Sequence, residues 1–214
     1  MWRLIVGLIV FSAPALAGAA HADPVRAAQA LDRSAPFMRV FGPTLPPYGF
    51  VRFCAERPDE CVPGRFDDSR VSAGPERMRE LDAINRRVNT EIIAATDLEI
   101  YGETERWTLP KTRGDCEDYA LLKRHLLIKQ GWPIGALLMT VVRDETGEGH
   151  AVLTVRTAQG DFILDNKVDD IKPWQKVRYT FLMRQSYIDP KVWVSLDPKD
   201  ARRHTIVSSA QTSP

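Results

Sequence analysis

At Gly131-Trp132-Pro133 the apolar pattern of this chain changes period, and that change restricts the fold more than any other feature. Before it, apolar residues recur at helical steps. Tyr119, Ala120, Leu122, Leu126 and Leu127 make one stripe. Met78, Leu81, Ile84, Val88, Ile92 and Ala95 make another, which predicts a helix over 75–96 opened by Pro75. After it the period is two. Residues 136–143 are a β-branched run, and 150–156 alternate, with His150, Val152, Thr154 and Arg156 on one face. Residues 161–166 read as a third strand, and 176–183 and 191–196 as two more. Short polar turns at 144–149 and 157–160 join the first three into an antiparallel meander. Helices followed by strands predict the α+β class.

The second helix begins inside Trp107-Thr-Leu-Pro-Lys-Thr-Arg-Gly-Asp-Cys-Glu-Asp-Tyr-Ala120. Gly114 ends a loop, Asp115 stands at the capping position, and Cys116 falls in the first turn. Unpaired N–H groups and the helix dipole favour negative charge there, so a thiol at that place is expected to ionise more easily. Taken alone, a cysteine is more often a small buried hydrophobe. Asp118 reads as a helix-surface acid or a group behind the site. Asn85 and Asn89 flank the stripe of the earlier helix as surface amides or as polar contacts near a site.

The chain has 214 residues, enough for one domain with a real core. Its start has the form of a secretory leader. Arg3 supplies the charge, 4–11 the apolar run, and Ala20-His-Ala22 or Ala15-Leu-Ala17 the cleavage site. Loss of residues 1–22 removes one arginine and no acid, which takes the formal charge from +1 to zero. A neutral chain without a basic block gives no support for nucleic-acid binding. The expected organisation is a leader (1–22), an N-terminal helical and loop segment (23–74), a core (75–197) and a polar tail (198–214). The expected location is the periplasm.

Export makes three cysteines informative. Cys54 and Cys61 are the natural disulfide pair. Seven residues of helix would hold their Cα atoms about 10.5 Å apart, too far to bridge. Pro58 breaks the 50–57 helical run and lets the chain fold back. Cys116 is then an odd thiol, which flags reactivity; the alternative is that it pairs with one of the other two.

His150 opens one strand and Asp165 closes the next. A hairpin centred on Thr157-Ala158 sets them opposite each other, and one centred on Gln159-Gly160 offsets them by four. Either way they share a face, because the parity is unchanged. Singly, His150 reads as a strand-end histidine and Asp165 as a turn acid. Together with Cys116 they are the parts of a thiol acyl-transfer site: nucleophile, proton carrier, and the acid that orients the imidazole.

Gly114-Asp-Cys-Glu-Asp-Tyr-Ala120, Gly149-His-Ala-Val-Leu153 and Ile163-Leu-Asp-Asn166, in that order, resemble the bacterial transglutaminase-like cysteine proteinases, whose best-known members are periplasmic LapG-type proteases. The resemblance covers roughly residues 75–190. It implies a papain-like, transglutaminase-like α+β core with the nucleophile at a helix N-terminus packed on an antiparallel sheet. It also implies a triad of Cys116, His150 and Asp165, and Trp107 as a cleft wall or oxyanion donor. The protein substrate it implies is a large surface adhesin, with an inner-membrane cyclic-di-GMP receptor as the controlling partner. Calcium is implied at the acids beside the nucleophile, Asp115 and Glu117. Two functions outside this reading use the same residues: a non-catalytic binding module on the same fold, and an acyl transferase that passes the thioester to an amine.

Overall fold

The computed structural model describes residues 35–64 and 70–200. The expected leader, the start of the segment after it (23–34) and tail residues 201–214 lie outside the described residues. Strand β1 (Pro43–Thr44) precedes helix α1 (Tyr48–Glu56), and a short 3₁₀ turn over Pro58–Cys61 follows. Pro58 stops the helix, as its missing N–H requires. The chain folds back there and brings the Cα atoms of Cys54 and Cys61 to 5.6 Å, where they form a disulfide; Cys116 is free.

Helix α2 spans Pro75–Glu91, five residues shorter than the stripe predicts. Its apolar period runs on through Ile92 and Ala95, but Ile93 and Ala94 leave the helix as β2 and pair in parallel with β3 (Arg113–Gly114). The stretch between those strands is not plain loop. It holds α3 (Asp97–Tyr101), opened by a reciprocal capping box between Thr96 and Glu99 and closed by Gly102 in the left-handed region. Helix α4 (Cys116–Lys129) ends in a Schellman motif. Gly131, at φ +83°, donates to Ile128 O, and Trp132 donates to Leu127 O.

The meander is β4 (Leu137–Arg143), β5 (Gly149–Thr157) and β6 (Gly160–Leu164), followed by β7 (Lys172–Pro173), β8 (Thr180–Gln185) and β9 (Trp193–Ser195). The last two expected strands are shifted or shortened, because residues 174–176 form a 3₁₀ turn before β8 begins. The sheet runs β1-β9-β8-β4-β5-β6-β7, and every neighbouring pair is antiparallel. So β1 from the N-terminal segment belongs to the same sheet as the rest.

Helices α2 and α4 cover one face. Leu81, Ile84, Val88, Leu121 and Leu127 meet Leu137, Met139, Leu153, Val155 and Leu164 there. Phe50 and Phe53 of α1 join this core beside Trp107 and Trp193. Each fully buried leucine contributes about 1.5–3 kcal/mol. The opposite face carries a smaller cluster of Met38, Val142, Val152, Ile163, Trp174, Tyr179 and Phe181. The cores pin α4 against β5, so the first turn of α4 lies over the start of that strand. Among the described residues no helix is long and apolar enough to cross a membrane.

Candidate active site

Residues Thr157 and Gly160 pair across the β5–β6 turn, which centres the hairpin on Ala158-Gln159, between the two registers the sequence allows. Leu153 faces Leu164, and one further step sets Asp165 across from Val152, two positions from His150. The shared face holds as parity requires, and the side chains meet on the diagonal. His150 Nε2 lies 2.9 Å from Asp165 Oδ1, with both side chains buried. This leaves Nδ1 as the ring nitrogen not committed to the carboxylate.

Asp165 is held on every polar atom of its side chain. Oδ1 also accepts from the Lys167 amide at 3.0 Å, and Oδ2 accepts from the Tyr179 hydroxyl at 2.6 Å. Its backbone oxygen takes Asn89 Nδ2 at 3.0 Å. Burial pushes the Asp165 carboxyl up, but the hydrogen bonds from His150 and Tyr179 outweigh it and hold the group below its usual value. The ring of Tyr179 stands edge-on to His150, with centroids 5.5 Å apart. Asn85 and Asn89 of α2, which read more readily as neutral surface amides than as polar contacts near a site, bind the 165–169 loop instead. Asn85 Nδ2 donates to Asp169 O at 2.8 Å, and Asn89 Nδ2 reaches Asp169 Oδ1 at 2.9 Å. Tyr179 and the clamping role of Asn89 carry no signal in sequence beyond their residue type.

Cys116 opens α4, and the backbone amide of Ala151, next to His150, faces its sulfur. The thiol donates to Glu117 Oε2 at 3.0 Å rather than to His150. Burial first, and then the Glu117 carboxylate, push the thiol above its ordinary value. This reverses the expectation drawn from the helix dipole. A dipole of half a charge at a helix end is outweighed by desolvation and by an acid side chain in hydrogen-bond contact.

Asp115 occupies the capping position of α4 but makes no capping hydrogen bond. It faces a third acid that the sequence does not single out, Asp97 of α3. Carboxylate oxygens of Asp97, Asp115 and Glu117 all lie within 4.8 Å of one another. Burial and mutual repulsion push the Asp115 and Glu117 carboxyls up. Asp97 Oδ1 and Asp115 Oδ1 are buried without a hydrogen-bond partner. Hard oxygen donors that repel one another, two of them orphaned, fit a divalent cation such as Ca²⁺.

Asp118 and Trp107 each carry two readings, and one of each is excluded. Asp118 is not a surface acid. It is fully buried beneath the loop, where Oδ1 accepts from the Thr108 amide at 2.7 Å, and burial pushes it up to about 8. Gly114 makes room for it, since a Cβ there would come within 2.7 Å of Asp118 Cβ and Oδ2. Trp107 gives no oxyanion donor. Its indole N–H goes to Glu105 Oε1 at 2.7 Å, and its ring packs edge-on to Phe50 and Trp193 in the core.

A free thiol opening a helix laid on an antiparallel sheet defines a transglutaminase-like α+β fold. The chain belongs to the bacterial transglutaminase-like cysteine proteinase family (BTLCP), whose sequence profile matches residues 40–201. Its family is one of cysteine proteinases. Solved structures of Legionella pneumophila LapG are similar to it. The calcium-bound form is 24% identical, with a TM-score of 0.45, over 53% of this chain and 66% of that one, about two thirds of its length. A further LapG structure is 21% identical, with a TM-score of 0.47, over 65% of this chain and 79% of that one. An EGTA-treated form has also been solved and is 22% identical, with a TM-score of 0.46, over 58% of this chain and 69% of that one. A comparison with curated proteins finds no match.

Proposed function

We propose that the protein is a periplasmic cysteine endopeptidase working through Cys116, His150 and Asp165. The observation that carries this reading is the His150 Nε2–Asp165 Oδ1 contact of 2.9 Å, beside a strand position whose amide faces the Cys116 sulfur. In the reaction His150 Nδ1 takes the thiol proton and Cys116 Sγ attacks the scissile carbonyl carbon. The carbon–nitrogen bond then breaks, the imidazolium returns its proton to the leaving amine, and water hydrolyses the thioester. Asp165, kept ionised by its hydrogen bonds, holds the ring tautomer and stabilises the imidazolium. The backbone N–H of Cys116, in the first turn of α4, is the oxyanion donor the fold offers.

Asp97, Asp115 and Glu117 would hold calcium. When bound, the ion supplies positive charge beside the thiol. Glu117, which accepts from the Cys116 thiol, would be one of its ligands. That residues hold the thiol and the cation in common supports calcium-dependent activity, as does the existence of a calcium-bound LapG structure. The resemblance to LapG-type members suggests a large surface adhesin as substrate and an inner-membrane cyclic-di-GMP receptor as controlling partner.

The test is N-terminal sequencing of fragments released from cells carrying the wild-type or the Cys116→Ala protein. The expected result is one cleavage product that the variant does not make, while its thermal unfolding stays close to wild type. A Cys116→Ala protein that still cuts the same bond overturns the assignment.

A further inference from the structure

On the sheet face turned away from α4, two arginines are buried without enough acceptors. Arg184 of β8 lies across from Thr140 of β4, whose hydroxyl bonds Thr154 of β5 at 2.6 Å; Arg156 follows two residues later on the same face of β5. Arg156 and Arg184 are 6% and 3% exposed. Arg184 Nε and Nη1 and Arg156 Nε have no hydrogen-bond partner. Among the described residues, Arg156 is otherwise held by Gly135 O at 3.3 Å and by the ring of Tyr187 beneath its guanidinium, at 4.4 Å.

Among the described residues the acid that acts on both arginines is Asp161, and both of its oxygens are engaged. Oδ1 takes Arg70 Nη1 at 2.9 Å, and Oδ2 takes the Met38 amide at 2.8 Å. Three guanidiniums therefore act on one carboxylate. Burial, and then repulsion from Arg184 and Arg70, pull Arg156 down to about 10, and burial lowers Arg184 as well. Guanidinium in a dry site without an anion is strongly unfavourable, and its planar fork suits bidentate contact with carboxylate or phosphate oxygens. The excess of two positive charges matches a dianion better than a carboxylate. The Arg70 side chain is 27% exposed, so the cluster reaches solvent at that rim.

We propose that Arg156 and Arg184 hold a phosphate-class oxyanion, at a site on the sheet face that carries His150, six residues further along β5. The ligand is either inorganic phosphate or the phosphoryl group of a phosphomonoester. Its donors are the guanidinium N–H groups that lack partners in the protein. Binding there ties β8 to β5 across β4, because the two arginines come from strands that do not pair with each other.

The experiment is thermal unfolding of the full chain against added potassium phosphate or phosphoserine, with chloride holding ionic strength constant, together with equilibrium dialysis using labelled phosphate. The expected result is a saturable rise of about 5–10 °C once the ligand exceeds its Kd roughly a hundredfold, with one equivalent bound. A rise with both ligands marks a site open to esters, and a rise with phosphate alone marks one closed to them. Arg184→Met should lose the rise, and Arg87→Met, an exposed control, should keep it. If Arg184→Met does not fold, Arg184→Lys replaces it, keeping the charge and losing the fork, and should bind at least tenfold more weakly. No saturable rise in the wild type, or an equal rise in the Arg184 variant, overturns the proposal.

Discussion

Tyr179 donates its hydroxyl to Asp165 Oδ2 at 2.6 Å, the carboxylate oxygen that His150 does not use. Together with the His150 hydrogen bond, the contact opposes the upward push of burial and holds the carboxyl below its usual value. Tyr179→Phe removes that hydrogen bond and leaves the ring against His150. A hydrogen bond to a charged group contributes about 1.5–3 kcal/mol, so kcat/KM should fall roughly tenfold or more. The pH profile carries the sharper signature. The folded pKa of Asp165 is depressed, so its stabilising contribution is present above the unfolded value near 4 and is lost as pH falls through the folded value. In Tyr179→Phe the folded value rises, and the acid limb of kcat/KM and the onset of acid unfolding should both move to higher pH. Profiles that superimpose on the wild type would show that Tyr179 serves only packing.

Asp97 brings the third carboxylate to Asp115 and Glu117. Asp97→Asn keeps the shape and removes one charge from the donor set. Wild-type protein in calcium should unfold several degrees above the same protein in EGTA, and the variant should show little or no difference. Iodoacetamide reports the thiol. In EGTA, Cys116 sits against the Glu117 carboxylate and should alkylate slowly. Calcium should speed the reaction at fixed pH in the wild type but not in Asp97→Asn. Equal calcium responses in the two proteins would remove Asp97 from the ion site.

What could be read in advance follows the range of the physical signal. The face shared by His150 and Asp165 was legible because strand parity survives an error in hairpin register, and the register did prove different from both options. The break at Pro58 and the closure of Cys54 on Cys61 follow from one local rule. Asp97 was not legible: it lies nineteen residues before Cys116, and only the β2–β3 pairing of Ile93 with Arg113 folds the two together. The same holds for Tyr179, which reaches Asp165 across the sheet. Asp118 could be read as a surface acid or as a group behind the site, and the Thr108 amide it accepts from decides for the interior. The thiol misled because a helix start says nothing about which neighbour takes the proton.

Gly114 tests the packing beneath the nucleophile. An added Cβ would stand 2.7 Å from Asp118 Cβ and 3.1 Å from Pro110 Cβ, in a region with no free space to receive it. Gly114 O also accepts the Ala95 amide at 3.0 Å, so the backbone cannot swing away without opening the β2–β3 pair. Overpacking of this kind costs about 1–3 kcal/mol. Gly114→Ala should therefore lower the unfolding temperature by roughly 2–10 °C in calorimetry. Gly74→Ala, where a Cβ meets nothing within 4 Å, is the matched control and should leave the temperature nearly unchanged. Equal effects at the two positions would mean that the loop moves to accommodate the methyl.

Lys123 sits on α4 seven residues after Cys116 and is 1% exposed. Its ammonium lies 5.9 Å from the centre of the Tyr119 ring, and Asp165 and Asp169 are the carboxylates that act on it. Burial pulls its pKa down to about 7, against the opposing pull of those two acids. A lysine whose folded value is depressed binds its proton less readily in the native state than in the unfolded chain. Its unfavourable contribution is absent above the unfolded value near 10.4, grows as pH falls, and levels off below about 7. Lys123→Met removes the charge and keeps most of the volume, and replacing a buried charge by a hydrophobe is often neutral or stabilising. The variant should unfold a few degrees above the wild type at pH 7, with the gap closing toward pH 10. A variant less stable than the wild type at pH 7, with a gap that does not change with pH, would show that Asp165 and Asp169 compensate the buried ammonium in full.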